Sequence, residues 1–167
     1  MIYDIKIYGN DCLRSVAEPV TEINSEIIET LNNMVETMRN IRGVGLAAPQ
    51  VGINKRMFVI EVEEGDVRIV INPEFLEMSE EKESNEEGCL SVPGIYKPVK
   101  RSLTIKIKYQ NEKGEEIIEE ASELLGRAFQ HEYDHLDGVL FVDKVSPVAK
   151  RMITKKLQML KKEANRG

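Results

Sequence analysis

The hexapeptide Gln130-His131-Glu132-Tyr133-Asp134-His135 contains both histidines of this 167-residue chain. It sits in a segment, Ser122 to about Leu136, where Leu124, Leu125, Ala128 and Phe129 recur at helical spacing. Two histidines four apart on a helix lie on one face, one turn above the other, so both imidazoles can reach one metal ion. Glu132 stands about 100° round the helix from His131, near that ion without having to bind it. A carboxylate so placed can take a proton from water and pass it to a leaving group. The pattern is H-E-x-x-H, a helical metal site with its own acid/base.

A metal held by two histidines needs at least one further protein ligand. The spacing that often supplies a third histidine, H-E-x-x-H-x-x-G-x-x-H, has its glycine here at Gly138 but Phe141 in the last position. Glu163 is the only glutamate after the motif, and it lies among lysines. Cys89 is left, in Glu86-Glu-Gly-Cys-Leu-Ser-Val-Pro-Gly94, a turn-like segment between strand-like runs. A thiolate, two imidazoles and one open position make a tetrahedral catalytic site. Two other functions use the same residues. A peptidase would use the same metal and Glu132 on peptide bonds, although no third histidine or suitable glutamate is present. A closed structural site would need Cys12 to complete a Cys₂His₂ set.

Outward from the motif, helices and antiparallel strands alternate without a βαβ rhythm, which predicts an α+β fold. Ile27, Ile28, Leu31, Met34, Val35 and Met38 predict a helix capped by Asn24 and ending near Arg42. Gly43-Val-Gly-Leu-Ala-Ala-Pro-Gln50 reads as a close-packed loop or short strand. Met57–Val62 and Val67–Ile71 are β-like around a hairpin turn at Glu63–Asp66, whereas Ser79–Glu87 is acidic and reads as a solvated loop. Leu103, Ile105, Ile107 and Tyr109 alternate with polar residues as in a half-buried strand, and Asn111–Gly114 turns the chain into a partner near Glu115–Glu119. A last helix starts with Ser146 as N-cap and Pro147 in its first turn. Its expected buried stripe is Ala149, Met152, Ile153, Leu157 and Leu160.

No repeat, low-complexity tract or flexible linker divides residues 1–167, so one domain is expected, with 144–167 as its basic C-terminal helix. Hydrophobic residues make up 41% and charged residues 31%, the balance of a globular chain. No apolar run approaches the roughly 20 residues that span a bilayer, and the N-terminus has neither the basic–apolar build of a secretory signal nor that of a transit peptide. A cytoplasmic location is the default. With Cys12 and Cys89 as the only cysteines, there is no disulfide framework. The net charge of −6 argues against DNA as a partner of the whole surface. The charge is uneven, however: residues 144–167 carry +7, leaving −13 on residues 1–143. An anionic partner for the tail alone is expected.

Three segments together, Gly43-Val-Gly-Leu-Ala-Ala-Pro-Gln50, Glu87-Gly-Cys-Leu-Ser91 and Gln130-His-Glu-Tyr-Asp-His135, resemble the three signature motifs of the bacterial-type peptide deformylases. They stand in the same order and spacing, and the resemblance covers essentially the whole chain. It implies antiparallel or mixed sheets packed around a central helix that carries H-E-x-x-H, and removal of the formyl group from formyl-methionyl nascent chains with release of formate. By the same resemblance Cys89, His131 and His135 hold one divalent metal ion, Fe(II) natively with Zn, Ni or Co able to substitute. Glu132 is then the acid/base, and the Gln50 amide and the Leu90 main-chain N–H form the oxyanion hole. The substrate methionine occupies an apolar pocket for which Val44, Leu124 and Ala128 are candidate walls, and Gly45 lets the peptide backbone come close. The final helix resembles the one that docks on the ribosome.

Overall fold

The apolar run Met57-Phe-Val-Ile60 is continuous because its strand is buried on both faces. Side chains of a strand point alternately to opposite faces. In the computed structural model, which describes residues 1–166, Met57 and Val59 pack into one buried cluster while Phe58 and Ile60 pack into another. Gly167, the last position of the basic tail, lies outside the described residues.

Strands β1 (Gly45–Ala47), β2 (Met57–Glu61), β3 (Val67–Met78), β6 (Thr104–Gln110) and β7 (Glu116–Ser122) form one antiparallel sheet in the order β1-β2-β3-β6-β7. Strands β4 (Lys82–Cys89) and β5 (Val92–Ser102) form a separate antiparallel hairpin. Helix α1 (Ser25–Asn40) closes one face of the large sheet with Leu31, Met34 and Met38. Helix α2 (Glu123–Leu136), which carries the two histidines, closes the other face with Phe129 and Leu136. Helix α3 (Pro147–Arg166) lays Ile153 and Leu157 against Val92, Ile95 and Val99 of β5. The architecture is the expected α+β arrangement around the motif helix. None of the described helices is long and apolar enough to cross a membrane.

Two predicted caps form: the Asn24 side chain accepts from the Ile27 N–H at 3.0 Å and the Ser146 hydroxyl from the Ala149 N–H at 3.1 Å. Such caps stabilise a helix by about 1 kcal/mol each. Gln130 ties α2 to the end of β5. Its carbonyl accepts from Ser102 N–H and its amide donates to Ser102 C=O, both at 3.0 Å.

The structure corrects three expectations. Residues 82–87 are not a solvated loop but the first part of β4, paired residue for residue with β5 from Lys82–Ser102 to Glu87–Lys97. Their side chains are exposed up to Glu86, so no apolar alternation marks the strand; main-chain pairing and an Arg127 bond to the Glu83 carbonyl hold it. Strand β3 does not stop at Ile71. It passes through an irregularity where Asn72 has φ 52° and its amide clasps Val20 N–H and C=O. Asn tolerates that conformation and Pro73 fits at a bulge, so residues that look like breakers bend the strand without ending it. Met152 is 65% exposed and lies outside the buried stripe of α3. Ala149, Ile153 and Leu157 recur every fourth residue, and Met152 sits one residue, about 100°, off that line.

Candidate active site

Helix α2 turns His131, Glu132 and His135 toward the end of β4, where Cys89 precedes the tight turn into β5. The ligating atoms of Cys89, His131 and His135 lie within 4.8 Å of one another, and Cys89 Sγ is 3.4 Å from His135 Nε2. A thiolate and an imidazole on one tetrahedral divalent ion stand about 3.5 Å apart, so the donors suit a metal. Cys12 is not among them: its thiol donates to the Pro49 carbonyl at 3.3 Å, and both cysteines are free. A closed four-ligand site is therefore not built here. The ring of Phe141, in the place of a third histidine, stacks beside His131 with centroids 6.3 Å apart.

The two imidazoles have different surroundings. His131 Nδ1 donates to Glu87 Oε1 at 2.9 Å, which leaves Nε2 with its lone pair for the site. Burial disfavours a charge on His131, yet Glu132, Cys89 and Glu87 together push its pKa well up. His135 is 1% exposed, and burial together with the positive charges of His131, Arg101 and Arg14 pushes its pKa well down. Metals bind the neutral form of imidazole.

Glu132 is buried, and its Oε1 has no hydrogen-bond partner among the described residues. Burial pushes its carboxyl up to about 7, with the charge of His131 acting the other way and Glu87 adding to the rise. Both protonation states are then populated near neutrality, as a group that accepts and returns a proton requires. Gln50 is 1% exposed, and its carbonyl accepts from the Ala47 N–H at 2.9 Å. An N–H needs an acceptor, so this bond fixes which way the amide points. The Gln50 NH₂ therefore faces the site, 3.1 Å from Ser91 Oγ and 3.6 Å from Cys89 Sγ.

A cavity of about 390 Å³ brings together nearly all the residues singled out from the sequence. Val44, Gly45, Gln50, Cys89, Leu90, Leu124, Ala128, His131 and Glu132 line it, while His135 lies behind its wall. Val44 and Leu124 are 44% and 51% exposed, which fits the walls of an open pocket better than core packing. Gly45 is tight for a reason other than backbone approach by a peptide. A Cβ built there would fall 2.5 Å from Glu132 Oε2, so the carboxylate occupies the space a side chain would need.

Several residues around the site escaped the sequence. Glu87, placed in a solvated acidic run, is 6% exposed and accepts from Arg101 through two bonds of 2.9 Å, from Arg127 and from His131. Burial would raise its carboxyl, but the Arg101 and His131 hydrogen bonds outweigh that and hold it far below the usual range. Arg101 bridges on to Asp134 of the motif helix. Two arginines thus balance two carboxylates in the interior. The one available signal was Arg127 in the middle of an apolar helical face, since a buried arginine implies a buried carboxylate. Nothing local marks Ser91.

Residues 2–151 match the family model described as polypeptide deformylase. The peptide deformylase of Fusobacterium nucleatum is 52% identical, over 99% of this chain and 97% of that protein. Among solved structures, the peptide deformylase of Thermotoga maritima superposes with a TM-score of 0.85 at 50% identity, covering 88% of this chain and 99% of its own. That of Thermus thermophilus superposes with 0.91 at 38% identity, covering 98% and 99%. With the thiol and the two imidazoles of the motif helix grouped together, this chain belongs to the peptide deformylases, metal-dependent hydrolases that remove the formyl group from nascent polypeptides.

Proposed function

We propose that residues 1–167 act as one catalytic unit in which Cys89, His131 and His135 hold a single divalent cation, ferrous iron in the cell, with zinc, nickel or cobalt able to replace it. Thiolate and imidazole suit both iron and zinc. Such a cation, when bound, supplies Lewis acidity toward the formyl oxygen and lowers the pKa of water. Glu132 takes the proton of the attacking water and returns it to the departing amine, and formate leaves. The Gln50 amide and the Leu90 main-chain N–H are the donors assigned to the oxygen on which charge develops. Gln50 is suited to this because its bond to Ala47 holds the NH₂ in place before the reaction begins. Fixed donors of this kind contribute about 3 kcal/mol each in the transition state. Val44, Leu124 and Ala128 are assigned to the methionine side chain, and Gly45 to clearance for Glu132 as well as for the peptide.

The observation that carries this assignment is the Glu132 carboxylate, buried with one oxygen unpartnered beside the thiol and imidazoles. The test is anaerobic loading with ferrous iron, followed by measurement of formate release from a formyl-Met peptide. Release abolished by chelator supports the assignment. No release from folded, metal-loaded protein refutes it.

A cytoplasmic enzyme acting on nascent chains needs to find ribosomes, and we assign that task to the solvent face of α3. Arg151, Lys155, Lys161 and Lys162 are exposed there. Phosphate neutralisation by such residues gives salt-sensitive binding to RNA. Cosedimentation with ribosomes that survives charge reversal of these residues would refute the assignment.

A further inference from the structure

We propose that the groove between β5 and α3 binds the stretch of substrate peptide that follows its first few residues, and prefers acidic to basic side chains there. The proposal rests on the deformylase function of the adjoining cavity. The groove, about 280 Å³, shares Gly94 and Tyr96 with that cavity, so the two form one continuous track on the surface. Tyr96 is the divide between them. It is 62% exposed, yet its ring is seated on Gly88 so closely that any side chain at Gly88 would overlap it. The ring is thus a fixed shelf over which a chain leaving the cavity passes.

Beyond Tyr96 the walls change character. Lys97 of β5 reaches across to α3, its Nζ 4.0 Å from Met152 Sδ, and Lys156 stands one helical turn beyond Met152. The exposure of Met152 acquires a purpose here, because an unbranched thioether adapts to varied partners. Among the described residues the only lysines in ion pairs are Lys108 with Glu74 and Lys144 with Asp134. Lys97 and Lys156 are therefore free to meet charge on a ligand. The nearest buried acid on the hairpin, Glu87, is already committed to Arg101, Arg127 and His131.

Extended chains rise about 3.4 Å per residue, in a strand as in a bound peptide. A peptide leaving the cavity at Gly94 therefore comes level with Lys97 about three residues later. The side chains read by the groove belong to the fourth residue of the substrate and those after it. Long-range attraction acts in the opposite sense: the protein carries −6 overall, which by itself favours basic peptides. A preference for acidic peptides would thus report the groove and not the net field.

The metal-loaded enzyme is tested with two formyl-Met octapeptides that share their first three residues and carry glutamates or lysines at the fifth to seventh positions. A formyl-Met tripeptide serves as reference. Exposed pairs of this kind predict a kcat/KM ratio of about fivefold in favour of the acidic peptide, expressed in KM and fading at high salt. The double variant Lys97→Glu/Lys156→Glu inverts the ratio, and Lys97→Gln/Lys156→Gln removes it. Equal kcat/KM for the two octapeptides, or a ratio that neither double variant moves, overturns the groove. Absence of formate even from the tripeptide overturns the deformylase assignment on which it rests.

Discussion

Replacing Gly45 by alanine separates two physical roles for this glycine. The added Cβ would lie 2.5 Å from Glu132 Oε2 and 2.9 Å from Glu132 Cδ. Carbon and oxygen not bonded to each other settle at about 3.3 Å or more, so the carboxylate has to retreat by about 0.8 Å. The glycine itself cannot yield easily, because Gly45 is paired to Ile60 within the sheet. Displacing a catalytic group by about 1 Å costs about 100-fold in rate, equivalent to about 2.7 kcal/mol in the barrier. Overpacking should also cost about 1–3 kcal/mol of stability. Steady-state formate release on Gly45→Ala should show a fall in kcat with metal content unchanged, since Cys89, His131 and His135 are not displaced. If the glycine served only the approach of the peptide, KM would rise and kcat would hold. Coupling is the stricter check: in a Glu132→Ala background the obstructing carboxylate is gone, so Gly45→Ala should no longer destabilise. A Gly45→Ala enzyme within threefold of the parent in kcat would refute the clash.

Glu132→Ala should retain the metal while losing about 10²–10⁴-fold in kcat, and a fully active variant would remove Glu132 from proton transfer. Glu87→Gln breaks the interior pairing with Arg101 and Arg127 and should destabilise by about 3–5 kcal/mol in urea unfolding. It should also weaken metal binding by about 10–100-fold through His131; an unchanged metal titration would refute the orienting role. Asp143 is held below the usual carboxylate range: burial raises its pKa, but the hydrogen bonds from Arg14 and Leu140 N–H outweigh that. A depressed carboxyl stabilises above its unfolded pKa and loses that contribution as pH falls through the folded value. The stability difference between the parent and Asp143→Asn should therefore be full above about pH 5 and shrink as pH drops below about 4. A difference that persists unchanged into acid would refute the ion-pair origin.

Much of this protein is legible in its sequence. Helical spacing in residues 122–136 and the i, i+4 histidines are local properties, so the motif helix and its chemistry follow from a few neighbouring residues. The scarcity of histidine and cysteine left Cys89 as the only candidate third ligand, and the fold does bring Cys89, His131 and His135 together. The assignment of Gln50 and Leu90 came from resemblance to a family and not from periodicity or spacing. The structure adds the bond to Ala47 that holds Gln50 in place.

What the linear order could not reveal was whatever depends on distant partners. Residues 82–87 look solvated because five of their six side chains are exposed, and only pairing with β5 makes them a strand. Glu87 is one acid in an acidic run until Arg101, Arg127 and His131, from 14 to 44 residues away, converge on it. Met152 belongs to a plausible apolar stripe until the packing of α3 on β5 selects a line one residue to the side. Thus the sequence alone determined the class of fold, the candidate metal-ligating residue types and the helix that carries two of them, because short-range geometry sets periodicity and spacing. Only the tertiary structure decided which acid is buried, why position 45 has no side chain and where the surface track runs, because burial and close contact are set by residues far apart in the chain.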